Sequence, residues 1–271
     1  MNILNPSQPI GIFDSGIGGL TVAHAITKLL PQEEIIYFGD TAHLPYGDKS
    51  SEAILHYSDR ICEFLKKKGC KMIIIACNTA SSVAYEYLQK VIGDKILLAN
   101  VIDPVVEAVV ADQEIKNVAI IGTKRTIQSN IYEKKLKELR PDLAVASLAT
   151  PLLAPMIEEG FFDSNISNTV INAYLNYPDF AYSDAMILAC THYPLIKKEI
   201  NDFFKKPVKV FDSTNVVAKY VKQLLEEHHL LNPKKNNPHH FIVSDYTTSF
   251  ERTTAFFYKE EIKLEHHPMW D

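Results

Sequence analysis

Two cysteines sit in matched surroundings. Cys77 follows the apolar run MIIIA (72–76) and precedes Asn78 and Thr79. Cys190 follows MILA (186–189) and precedes Thr191 and His192, 113 positions further on. A thiolate is a capable base, and its supply depends on the thiol pKa, ordinarily about 8.5. Each cysteine also stands ahead of a helix-like stretch. Thr79, Ser81 and Ser82 offer capping hydroxyls after Cys77, and Pro194 suits a first helical turn after Cys190. Helix N-termini favour negative charge, so both thiol pKa values are expected to be lowered. Two such thiols facing one substrate could remove a proton from one face of a carbon and return one to the other. The plainer alternative makes each cysteine a small buried hydrophobe at a strand end. The repeated context, polar on the far side both times, favours chemistry.

Other residues could assist. Asp14 ends the apolar stretch IGIF (10–13), where a carboxylate is costly unless it faces a cleft or a partner. It could steer the proton of a nearby thiol or cap the following turn. His192 could be a general acid–base beside Cys190 or a satisfied polar group. Glu158 and Glu159, in LLAPMIEEG, read most simply as a solvated helical turn. The loop SGIGG departs from G-x-G-x-x-G, because Thr21 holds the last position, so a dinucleotide site is not expected. Its amides could instead hold a substrate carboxylate. The pairs His228–His229, His239–His240 and His266–His267 read as surface residues. Zinc is not expected, since His192 and Cys190 lack a matching ligand pair.

The elements that must position these residues alternate between strand and helix. Strands are expected at 10–13, 34–38, 72–76, 96–101, 118–121, 143–148, 185–189 and 208–211. Helices are expected at about 21–30, 51–68, 79–91, 125–139 and 194–204. In the second of these, Ile54, Tyr57, Ile61, Phe64 and Leu65 recur at helical steps, and Gly69 stands at the C-terminal cap. Such alternation implies an α/β fold with mainly parallel sheets flanked by helices. IGIFDS and VAIIGT echo each other, with Asp14 and Gly122 108 positions apart, close to the spacing of the cysteines. The near-constant offset suggests two related lobes with a cleft between them: residues 1–103, residues 104–213, and a C-terminal segment, 214–271, returning to the first lobe. Ligands of open parallel sheets bind at the carboxyl ends of strands. There DSGIGG, GDTAHLPYGD, CNTASS and CTHYP would line one cleft.

Bulk properties narrow the function classes. With 271 residues, 46% hydrophobic and 23% charged, the chain suits two α/β lobes. A formal charge of −5 and no basic run beyond KKK (66–68) argue against a nucleic-acid surface. No apolar run approaches the roughly 18 residues of a membrane helix, and the N-terminus lacks a signal-peptide pattern. The four cysteines form no C-x-x-C pair, which points to free thiols in a reducing cytoplasm.

GIFDSGIGGLTV, IIYFGDTAHLPYGDKS, IIIACNTASSVA, LLAPMIEEG, LACTHYPLI and VFDST together resemble the glutamate racemases of the cofactor-independent aspartate/glutamate racemase superfamily. The resemblance covers about residues 10 to 215, and the tail follows more loosely. It implies an enzyme that interconverts L- and D-glutamate without pyridoxal phosphate, metal or nucleotide. D-Glutamate would then feed peptidoglycan synthesis in a bacterial cytoplasm. It also implies that Cys77 acts on D-glutamate, assisted by Asp14. Cys190 would act on L-glutamate, assisted by His192 and Glu158. Asp14, Ser15, Pro45, Tyr46, Gly47, Asn78, Thr79, Thr191 and His192 would hold the amino acid. A homodimer is the implied assembly. Alternatives are an aspartate or other amino-acid racemase with the same thiols, a cysteine hydrolase built on Cys190 and His192, and a non-catalytic two-lobe amino-acid-binding protein.

Overall fold

The computed structural model describes residues 4–234 and 237–270. In chain order the first half runs β1 (Ile10–Asp14), α1 (Leu20–Leu29), β2 (Ile35–Gly39), α2 (Ser51–Lys67), β3 (Met72–Ile75), α3 (Asn78–Ile92), β4 (Leu97–Asn100) and α4 (Asp103–Ala111). The second runs β5 (Asn117–Gly122), α5 (Lys124–Gln128), α6 (Ile131–Leu139), β6 (Ala144–Ala149), α7 (Leu153–Glu158), α8 (Asn165–Leu175), β7 (Ala185–Ala189), α9 (Lys197–Phe203) and β8 (Lys209–Phe211). The chain then adds α10 (Asn215–Glu227), β9 (His240–Val243), α11 (Thr248–Tyr258) and β10 (Leu264–His266).

The strands form two sheets in which every pairing is parallel. Their orders are β10-β9-β2-β1-β3-β4 and β6-β5-β7-β8. The block β2-β1-β3-β4 thus has the same order as β6-β5-β7-β8, and β3 and β7 occupy equivalent places. β9 pairs with β2 and β10 with β9, so the last two strands extend the first sheet. β1, β2, β3 and β7 are buried along their whole length, because helices cover both faces. That is why they read as continuous apolar runs rather than alternating ones.

α2 shows how local sequence sets an element. Ser50 caps it by accepting the Ala53 amide at 3.2 Å. Ile54, Ile61 and Leu65 are fully buried, and Gly69, at φ +78°, ends the helical stretch in a conformation that favours glycine. Two expected helices are divided. The stretch 125–139 breaks into α5 and α6 at Asn130, which takes φ +55°, a conformation asparagine tolerates. The stretch 194–204 begins as a 3-10 turn, Tyr193–Ile196, before α9.

Candidate active site

The carboxyl ends of β1, β2 and β3 face those of β5 and β7 across a cavity of about 140 Å³. Ser15 and Gly16 follow β1 into it, and Leu44, Pro45, Tyr46 and Gly47 follow β2. Cys77, Asn78 and Thr79 follow β3. From the other sheet come Thr123 after β5, and Cys190, Thr191 and His192 after β7. Ala154, Pro155 and Glu158 reach it from α7. Of the expected site residues, Asp14 alone does not line the cavity; it lies behind it, fully buried. The space suits a molecule the size of one amino acid. Among the described residues, no group of three or more His, Cys, Asp or Glu side chains converges where a metal ion could sit.

The two thiols have opposite electrostatic surroundings. Cys77 is the N-cap of α3, and its Sγ accepts the Ala80 amide at 3.4 Å and lies 3.6 Å from Ser15 Oγ. Burial, helped by the charge of Asp14, nevertheless pushes its pKa up to about 12. The expected lowering therefore fails at Cys77. Removal from water outweighs one long amide contact and one hydroxyl. Cys190 does not cap a regular helix, because a 3-10 turn with His192 at its N-cap intervenes. Its Sγ lies 3.6 Å from His192 Nδ1, and His192 Nε2 lies 2.7 Å from Glu158 Oε1. Burial opposes charge on this imidazole. Hydrogen bonds and charge from Cys190 and Glu158 outweigh that and raise His192 well above the ordinary histidine range. Glu158 thus holds the far nitrogen of the imidazole and is not part of a solvated turn.

Asp14 Oδ2 accepts the amides of Gly16 at 3.2 Å and Gly19 at 3.0 Å. Its Oδ1 is buried without a hydrogen-bond partner among the described residues. Burial raises its pKa, against the pull of His192 and the loop amides. Asp14 makes no hydrogen bond to Cys77 and reaches it through charge. The SGIGG loop passes close to Asp14 at Gly19 and to the residues after β7 at Gly18. A Cβ at Gly18 would stand 2.5 Å from His192 Nδ1 and 2.6 Å from Thr191 Oγ1. Gly18→Ala is accordingly expected to cost about 1–3 kcal/mol of stability, read from denaturant midpoints. An unchanged midpoint would show that the His192 ring gives way freely.

The remaining lining residues are braced from outside the cavity. Tyr46 donates its hydroxyl to Asp40 Oδ2 at 2.7 Å. Buried Asp40 also accepts Ser244 Oγ at 2.8 Å and Trp270 Nε1 at 2.7 Å, so the chain's last segment holds the β2 loop. Thr79, Thr123 and Thr126 form a ring of hydroxyl contacts at 2.9–3.1 Å that ties α3 to α5. Sequence reasoning missed Thr123, Asp40 and the partner of Asn78. A signal for Thr123 existed: aligning IGIFDS with VAIIGT sets it opposite Ser15. No local signal marked the others.

Residues 20–221 match the family model for Asp/Glu/hydantoin racemases. The chain belongs to this family. Among curated relatives, the glutamate racemase of Geobacter metallireducens is 42% identical over 248 residues, covering 91% of each chain. Among solved structures, glutamate racemase from Francisella tularensis, determined in complex with D-glutamate, superposes with a TM-score of 0.91 at 38% identity, covering 98% of this chain and 99% of that one. Glutamate racemase RacE1 from Bacillus anthracis superposes at 0.90 with 33% identity, covering 97% and 99%. The two-sheet α/β architecture is thus that of the family's glutamate racemases. No helix among the described residues is long and apolar enough to cross a membrane.

Proposed function

We propose that this chain is a glutamate racemase that inverts Cα with two thiols, Cys77 acting on D-glutamate and Cys190 on L-glutamate. The observation that carries the reading is the arrival of both sulfurs in one cavity from equivalent strands, β3 and β7, of two like-ordered sheets. The named relatives and the D-glutamate complex of the Francisella tularensis protein support the substrate. The partition into 1–103, 104–213 and a returning 214–271 is supported by sheet membership.

In the L-to-D direction Cys190, as thiolate, takes the α-proton. An S–H bond forms, the Cα–H bond breaks, and the electron pair is shared into the α-carboxylate. Cys77 then gives its thiol proton to the opposite face, leaving a thiolate. The high pKa that burial gives the Cys77 thiol keeps it protonated for this task. His192, backed by Glu158, stabilises negative charge at Cys190 and on the substrate. Asp14 assists Cys77 through its charge. Ser15, Pro45, Tyr46, Gly47, Asn78, Thr79 and Thr191, with Asp14 and His192, orient the amino acid. In the reverse direction the thiols exchange roles. The scheme calls on no electron-sink cofactor. A homodimer in a bacterial cytoplasm, making D-glutamate for peptidoglycan, completes the reading.

NMR of L- and D-glutamate incubated with the protein in deuterated water tests it. Inversion with deuterium entering Cα is expected from either isomer, and aspartate is expected to react far more slowly. Binding without exchange would leave a non-catalytic amino-acid receptor, and preferred turnover of aspartate would move the substrate assignment.

A further inference from the structure

Asn78 starts α3 beside Cys77, is 2% exposed and lines the cavity, yet its Nδ2 has no hydrogen-bond partner among the described residues. A buried amide N–H without an acceptor is costly. A bound amino acid removes that cost, because a carboxylate offers acceptors only. The other end of the amide is held. Tyr132, on α6 after β5 of the second sheet, donates its hydroxyl to Asn78 Oδ1 at 2.6 Å. Tyr132 is itself 3% exposed, and Asn78 is its one side-chain hydrogen-bond partner among the described residues. If the Asn78 amide turned over, the phenol proton would lose its acceptor. Oδ1 would then point at the carboxylate of the substrate, an acceptor against an acceptor.

We propose that Tyr132 is a positioning residue, which fixes the Asn78 amide with its N–H donors toward the substrate carboxylate and does so only when the two lobes are closed on each other. The proposal rests on the reading of the cavity as a glutamate site. The contact spans the lobes, since Asn78 follows β3 and Tyr132 follows β5. Separating the lobes would free the amide to rotate. Closure and donor orientation are therefore one event. Burial, with the nearby charges of Asp103 and Cys190, raises the phenol pKa and keeps its proton in place.

Tyr132→Phe removes one oxygen and keeps the ring. KM for both isomers of glutamate is expected to rise about tenfold, with kcat within about twofold, because a carboxylate contact holds ground state and transition state alike. In an Asn78→Ala background, adding Tyr132→Phe is expected to change KM by less than about twofold. Equal factors in the two backgrounds, or an unchanged KM in Tyr132→Phe alone, overturn the proposal. Asn78→Asp keeps the acceptor for Tyr132 but loses the donor, and a loss of about a hundredfold in affinity is expected; a slight loss overturns it. A wild-type chain inactive on glutamate would defeat the substrate reading instead. The positioning role is then decided by the ¹H–¹⁵N pair of the Asn78 side chain, assigned by its loss in Asn78→Asp. Tyr132→Phe should shift or collapse that pair, and an unmoved pair overturns the proposal.

Discussion

Cys77→Ser and Cys190→Ser are each expected to lose inversion of glutamate by about 10³-fold or more, within the range that a positioned acid or base contributes. The two variants should fail differently. With Cys190 intact, Cys77→Ser can still draw the α-proton from L-glutamate, but nothing on the opposite face returns one. Solvent deuterium then enters L-glutamate and leaves D-glutamate untouched. Cys190→Ser should show the mirror result, exchange into D-glutamate only. Circular dichroism reads inversion and proton NMR reads exchange. Inversion near the wild-type rate in either variant contradicts the two-thiol scheme. Loss of one-sided exchange in both would mean that neither thiol acts as a base without the other. Both cysteines are buried, so the near-isosteric serine keeps the packing, and a thermal midpoint checks that it does.

The second large effect separates the assistants. Asp14→Asn and His192→Asn are each expected to lower turnover by about 10²-fold. Enantiomers have equal free energy in water, so kcat/KM must stay equal in the two directions for every variant. The asymmetry has to appear elsewhere. Asp14 sits behind Cys77, and its replacement slows transfer at that sulfur. The primary isotope effect should therefore grow for α-deuterated D-glutamate and shrink for the L-isomer. His192, between Cys190 and Glu158, should do the reverse. The same isotope effect on both isomers in both variants would reduce these residues to structural parts. The opposed surroundings of the thiols motivate the test. Burial and Asp14 push Cys77 up to about 12, whereas Cys190 faces an imidazole whose pKa is raised by Cys190 and Glu158.

Much of this is legible in the sequence. Strand and helix positions follow from periodicity and breakers, both local properties: IGIF, MIII and AMILA are buried on both faces and read as apolar runs. The duplication showed as an offset of 108 to 113 residues, and the shared order of β2-β1-β3-β4 and β6-β5-β7-β8 gives it a physical form. The break at Asn130 was not legible, because a single left-handed residue leaves the apolar period nearly intact. The lowered pKa expected of Cys77 failed for a related reason. A helix N-terminus is visible in sequence, but the degree of burial is not, and here burial is the larger effect.

The sequence by itself therefore determined the parallel α/β class, the two cysteine-bearing strand ends and most of the residues that line the cavity. Tertiary structure alone decided how other groups meet: Asp40 between Tyr46 and Trp270, and Tyr132 on Asn78. These pairs lie between 6 and 230 positions apart, most of them on different elements. A side chain's neighbours along the chain follow from backbone geometry a few residues long, whereas its neighbours across a cleft depend on how whole sheets pack, and hydration and charge are settled by that packing.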